Sequence, residues 1–303
     1  MMIHRRDAST LHQTLDPKFF ELMKNPQLPN ILLNDVSSFR NLCKILSSFT
    51  YLSCAVFIMT PLILMMNQHF HQIHPIKLMF VIPGAYPWNI PPYGLVYKFH
   101  FIAESASIIF ALIVSGGIDS LFTLYIFQIS GQLREMSYRI THTNSKTTGH
   151  KKIIRECILQ HEVLMQCRDI LEKIYGPVIL FTMLVNAMNL CSQMFEFTQM
   201  MNVSIQRAIF FTIYMMFKFV QTFVYAWAGS QLTAESQKYK EAVYGSHWQS
   251  NKNFMTSIII MLGQRPLVLT ACKFSIVSID IFVKVVNTAI SYLFLLQTIH
   301  DKK

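Results

Sequence analysis

The sequence predicts an all-α membrane protein: a bundle of five transmembrane helices with a cytosolic N-terminus and an extracellular C-terminus. Three observations predict it. Hydrophobic residues make up 52% of the 303 residues and charged ones 14%, where a soluble domain carries about 25% charged residues; the mean hydropathy is +0.35. Five apolar stretches, 45–66, 101–125, 178–195, 208–230 and 276–299, reach the length a helix needs to cross hydrocarbon. The basic residues between them alternate rich, poor, rich, poor, rich, which is the positive-inside pattern for that orientation. An odd number of crossings puts the two ends on opposite sides.

Taken in order, residues 1–44 form a polar cytosolic segment. It opens on basic residues with no apolar run behind them, so 45–66 serves as the insertion signal. Arg5, Arg6, Lys18, Lys24, Arg40 and Lys44 precede that first span. The loop 67–100 carries only Lys77 and Lys98, and its prolines (Pro75, Pro83, Pro87, Pro91 and Pro92) exclude a long helix and predict an ordered outer cap. After the second span, 126–177 is basic again. Its Ile153, Ile154, Cys157, Ile158, Leu164, Cys167, Ile170, Leu171 and Ile174 predict an amphipathic cytosolic helix that Gly176-Pro177 ends where the third span begins. A short outer loop, 196–207, contains the Asn202-Val203-Ser204 sequon. The fourth span, 208–230, is followed by a cytosolic segment, 231–275, with Lys238, Lys240, Lys252 and Arg265. The last span, 276–299, ends in an extracellular tail, 300–303.

The net charge of +10 therefore reports orientation in a lipid bilayer and no nucleic-acid partner. The six cysteines are scattered without a close pair or metal spacing, which predicts free thiols. His69, His71 and His74 have no accompanying cysteine or carboxylate, and His161-Glu162 lacks the second histidine of a zinc-protease motif. No nucleophile elbow, phosphate loop or dinucleotide fingerprint occurs. The expectation is no enzyme, no cofactor and no metal.

The last span carries the most informative pattern. Steps of three and four place Asp280, Lys284, Asn287, Ser291, Leu295 and Thr298 on one face among Ile, Val, Phe and Leu. Ionisable groups inside a span face protein or water. The seam therefore predicts a helix with one wall on an aqueous path, narrowing to the aliphatic Leu295 and Ile299, where a hydrophobic ring gates by dewetting. An ion pair of Asp280 with Lys284, with Asn287 and Ser291 bonding to neighbouring helices, is the alternative. Asp119 and Lys218 also lie within spans and should face the bundle interior; for Asp119 a structural hydrogen-bonding role is expected. Aromatic residues crowd the middle spans, among them Phe49, Tyr51, Phe57, Phe110, Tyr214 and Phe217. Helix packing accounts for most of them; around a cavity they would hold small apolar ligands by dispersion.

Several segments resemble the insect odorant receptors. Gln264-Arg265-Pro266-Leu267, Leu269-Thr270-Ala271, Ser278, Phe282, Val286-Asn287 and Ser291-Tyr292 look like the family's final-helix signature. Gln221, Phe223, Tyr225, Gly229, Leu232, Glu235-Ser236 and Trp248 are similar to the segment before it. Val114-Ser115, Asp119-Ser120-Leu121-Phe122 and Gly131-Gln132-Leu133 look like its fourth helix and following loop. The resemblance covers roughly residues 80–299. It implies a seven-helix, odorant-gated, non-selective cation channel subunit in the plasma membrane of olfactory sensory neurons. The partners it implies are a small volatile odorant and a shared olfactory co-receptor subunit in a hetero-tetramer. By position, Leu295 would form the gate, with Thr298 and Ile299 beside it, and Thr298 stands where the co-receptor has Gln. The implied odorant pocket lies among the first, second and fourth spans, with Phe49, Tyr51, Ser53, Phe57, Phe110, Ile113, Tyr214 and Phe217 as candidate lining. The five spans align with the family's third to seventh helices, so the first two are expected to be missing, as in a partial gene product or a truncated isoform. A gustatory-type receptor of the same superfamily, a G-protein-coupled receptor and a non-functional truncated product are the alternatives.

Overall fold

The computed structural model describes residues 5–24, 36–71, 94–142, 150–200, 205–246 and 252–300, with positions 81 and 87 between them. Among these residues the chain forms seven helices: α1 (Arg5–Met23), α2 (Val36–Phe70), α3 (Leu95–His142), α4 (His150–Met200), α5 (Ile205–Tyr244), α6 (Lys252–Gly263) and α7 (Ile279–His300). A two-stranded antiparallel hairpin, β1 (Thr270–Ala271) with β2 (Ser275–Ile276), joins α6 to α7. Its turn residues Cys272 and Lys273 both take positive φ, 53° and 59°.

Four of the helices are long and apolar enough to cross a membrane by length and composition: Phe39–Phe70, Leu95–His142, Lys152–Glu196 and Ile279–Ile299. The fifth expected span, 208–230, is helical within α5 but is not among the four. The polar atoms of its Lys218, Gln221 and Thr222 are used inside the bundle. α5 is the central helix and packs against α2, α3, α4, α6 and α7.

The main core lies mostly outside the expected spans. Its fully buried side chains include Ile129, Leu133 and Met136 of α3, Leu171 and Tyr175 of α4, and Leu232 and Tyr239 of α5, with Leu267 and Val277 flanking the hairpin. The apolar segments of α3, α4 and α7 carry exposed Phe99, Ile102, Phe110, Leu184, Met188, Val283 and Phe294. An outer surface of that composition suits lipid contact, whereas water would drive such side chains inward.

Two sequence expectations need correction. Gly176-Pro177 ends nothing: α4 continues from His150 to Met200 with Pro177 inside it. The glycine instead allows close packing, since a Cβ at Gly176 would lie 3.2 Å from the backbone nitrogen of Cys272 in the hairpin. Residues 5–23 form a helix, which the polar reading of 1–44 overlooked. Leu11 and Leu15, one turn apart, are buried against α3 and α4. The Asp7 carboxylate pairs with the Lys173 ammonium at 2.8 Å, and Gln128 Nε2 donates to Asp16 Oδ1 at 2.6 Å. Most of the proline-rich outer cap and the Asn202 sequon lie outside the described residues.

Candidate ligand groove and pore face

An open groove of about 340 Å³ runs between α2 and α3, within the roughly 300–1,000 Å³ range of small-molecule sites. From α3 it is lined by Ile109, Leu112, Ile113, Gly116, Gly117 and Ser120, one face of a helix by their spacing. From α2 come Leu46, Ser47, Thr50, Tyr51 and Cys54. The two glycines make the room: a Cβ at Gly116 would first meet Thr50 Cγ2 at 3.9 Å, and one at Gly117 would meet nothing within 4 Å. The Thr50 hydroxyl is committed to the Leu46 carbonyl at 2.8 Å. Such walls bind by area and dispersion, with few directional contacts.

Of the residues expected to line a pocket, Tyr51 and Ile113 lie on this groove. Phe49, Tyr214 and Phe217 instead fill a small packed core behind it with Leu46 and Val224. Phe57 meets Tyr214 edge-on, ring centroids 5.4 Å apart. Ser53 is buried on α2. Phe110 does not belong to the lining: it is 72% exposed, because one step along α3 from Ile109 turns its side chain off the groove face. Sequence reasoning missed Thr50, Cys54, Gly116, Gly117 and Ser120; the adjacent glycines within an apolar run were the available signal.

The adjoining face of α3 carries Ser115 and Asp119, which meet α4 and α5 in a polar cluster. The Asp119 carboxylate accepts from Gln221 Nε2 at 2.8 Å and from the Tyr225 hydroxyl. Asn186 Nδ2 donates to Thr222 Oγ1 at 2.9 Å and to Gln221 Oε1 at 3.3 Å. Lys218 Nζ donates to Gln221 Oε1 at 3.3 Å and lies 5.0 Å from the Phe217 ring centroid. The expected interior placement of Asp119 and Lys218 is met, and the cluster ties three helices together where lipid could supply no hydrogen bonds.

α7 packs against α4 and α5, seating the Phe282 ring on Phe219 and Phe223 at 4.9 and 5.5 Å. Asp280, Lys284, Asn287, Ser291, Leu295, Thr298 and Ile299 all lie exposed on the outward side. No ion pair joins Asp280 to Lys284 among the described residues, and Ser291 and Thr298 donate to their own helix at the Asn287 and Phe294 carbonyls, 2.9 Å each. Among the described residues, no hydrogen bond or ion pair joins a seam side chain to another helix.

The start of α7 is held from α5. The Ile279 N–H donates to Ser230 Oγ at 2.8 Å, and the Val277 N–H donates to the Leu269 carbonyl at 2.9 Å. Gly229 lies directly against the Val277 carbonyl, where a Cβ would come within 2.2 Å of the oxygen. Further along α5, Glu235 is 2% exposed at its side chain and pairs with Arg134 of α3 at 2.9 Å and Lys238 at 3.0 Å. Desolvation pushes its carboxyl up, but the hydrogen bonds and charges of Arg134 and Lys238 outweigh that and hold it below the ordinary carboxylate value.

Comparison with known proteins agrees with this architecture. The chain is 24% identical to odorant receptor 67c of Drosophila melanogaster over 60% of its own length and 46% of that protein's. It is 24% identical to the odorant receptor coreceptor of Anopheles gambiae over 50% of its length and 33% of the relative's. The matched regions thus span about half the curated relatives or less. The olfactory receptor OR5 of Machilis hrabei, solved in complex with eugenol, superposes with a TM-score of 0.74 at 12% identity, covering 97% of this chain and 78% of that one. A family model described as 7tm Odorant receptor matches residues 1–290. The chain therefore belongs to the odorant receptor family, a family of membrane receptors and not of enzymes.

Proposed function

We propose that the chain is an odorant-recognising channel subunit, binding a small volatile apolar molecule in the α2–α3 groove and lining a cation path with the outward face of α7. The observation that carries the reading is the α7 seam. Its polar and ionisable side chains are exposed on the isolated subunit, yet the helix is long and apolar enough to cross a membrane. Charged groups at the centre of a bilayer cost about 2.5–3.5 kcal/mol each. Several seams brought together around an axis would exchange that cost for contact with water, with Leu295 at the narrowing. The expected assembly is a hetero-tetramer with a co-receptor in the plasma membrane of olfactory sensory neurons, N-terminus cytosolic and C-terminus outside.

The groove suits an odorant rather than a polar transmitter, since its walls are aliphatic with one tyrosine ring and a few hydroxyls. The eugenol bound by the structural neighbour is a small aromatic of that class. Binding opens the path only if the ligand binds the open state more tightly than the closed one. The test is co-expression with a co-receptor and recording of odorant-evoked current with G-protein signalling blocked. Cation current that Lys284→Gln or Leu295→Ala alters in conductance or leak supports the proposal. Currents unchanged by both substitutions refute the pore assignment.

A further inference from the structure

An open pocket of about 660 Å³, remote from the groove, lies between α4 and the hairpin that leads into α7. Four basic residues line it: Arg168 and Lys173 of α4, Arg265 ahead of β1, and Lys273 in the hairpin turn. Two carboxyls, Asp169 and Glu172, stand among them. Arg168 is committed to both, at 3.1 Å from Asp169 and 3.6 Å from Glu172, and Lys173 to Asp7 at 2.8 Å. Glu172 also accepts from the Thr270 hydroxyl. Arg265 and Lys273 are exposed and enter no ion pair among the described residues.

The pocket stands at a boundary between polar and apolar surface. Its α4 wall reaches Pro177, and the apolar run 178–195 follows at once. Steps of four and three from Lys173 and Pro177 lead to Phe181, Leu184 and Met188, which are 69%, 55% and 62% exposed. One face of α4 therefore runs from basic pocket to bare apolar strip. A free phosphate or a soluble inositol phosphate would use only the pocket. A phospholipid uses both, with its headgroup among the basic residues and its acyl chains along the strip. Arginine and lysine bind phosphate through charge-assisted hydrogen bonds. Asp169, its side chain 65% exposed, has room to accept from a hydroxyl, which an inositol ring carries and a bare phosphate ester does not.

We infer that this pocket holds the headgroup of a phosphoinositide, with phosphates on Arg265 and Lys273, a ring hydroxyl on Asp169, and acyl chains packed over Phe181 and Leu184. On the orientation proposed above it faces the cytosolic leaflet, whose anionic lipids include this class. The leaflet rests on that reading; the pocket and its chemistry do not. Because Lys273 belongs to the hairpin, the lipid ties α4 to the root of α7.

The test is equilibrium binding of a fluorescent dioctanoyl phosphatidylinositol bisphosphate to the whole purified protein in detergent micelles. Arg265→Gln combined with Lys273→Gln should weaken binding roughly tenfold, the share of two charge-assisted contacts. Both side chains are exposed, so the thermal midpoint of this variant should match the parent's. Lys152→Gln combined with Arg155→Gln removes the same charge from exposed positions elsewhere on α4 and should leave binding unchanged. Equal losses in the two double variants would mean general charge attraction and overturn the site, as would binding that neither diminishes. Inositol trisphosphate should compete at least roughly tenfold more weakly than the lipid, because it lacks the chains. Equal competition, or full displacement by inorganic phosphate, overturns the lipid as the occupant.

Discussion

Replacing Gly229 with alanine tests how α5 holds the root of α7. In an ordinary exposed helix the change would stabilise by up to about 1 kcal/mol, because glycine is the poorer helix former. Here the new Cβ would lie 2.2 Å from the Val277 carbonyl oxygen, about 1.2 Å inside the ordinary contact of 3.4 Å. The atom in the way is backbone, and Val277 is fully buried and tied through its N–H to Leu269. Relief therefore requires the hairpin exit to move from α5, which pulls the Ile279 N–H off Ser230 Oγ. Overpacking of this kind costs about 1–3 kcal/mol and the lost hydrogen bond about 1 kcal/mol. Set against the helix-propensity gain, the net is a destabilisation of about 1–3 kcal/mol. The assay is thermal unfolding in detergent micelles followed by tryptophan fluorescence, where Gly229→Ala should lower the midpoint by roughly 5 °C. Gly117→Ala is the control, since its Cβ meets nothing within 4 Å. A Gly229→Ala midpoint equal to or above the wild-type value would refute the close-approach argument.

Arg134→Ala strands a nearly fully buried carboxylate, and losing one partner of a buried pair costs about 3–5 kcal/mol; the expected loss is near about 3 kcal/mol, because Lys238 still reaches Glu235, and chemical denaturation measures it. Glu235 titrates below its ordinary 4.5 when folded, so its stabilisation is present above that value and disappears as the pH falls through the folded one. Acid unfolding should steepen below about pH 4.5, and Glu235→Gln should flatten that dependence; identical acid profiles would exclude Glu235 as a contributor. Gly117→Trp fills the α2–α3 groove and should abolish odorant-evoked current while surface expression persists. Unchanged dose–response curves would place the odorant elsewhere.

The membrane class, the helical content and the seam of α7 were legible from residue order because each rests on local periodicity. Apolar runs of spanning length and steps of three and four along one helix follow from a single element's geometry. That Asp119 and Lys218 lie inside the bundle followed from the cost of leaving them in lipid, without knowledge of their partners. Only the tertiary structure decided which partners those are: Tyr225 and Gln221 for Asp119, and Gln221 and the Phe217 ring for Lys218. Tertiary packing also separated Ile113 and Tyr51, on the groove, from Phe110 on the outer surface and Phe217 in a packed core. Aromatic character alone carries no direction. Gly229, Gly176 and the Gly116-Gly117 pair have one side chain type between them, yet serve as a backbone contact, a hairpin seat and the wall of a cavity. What distinguishes them is whether a segment distant in sequence approaches, as at Gly229 and Gly176, or leaves the space open, as at Gly117.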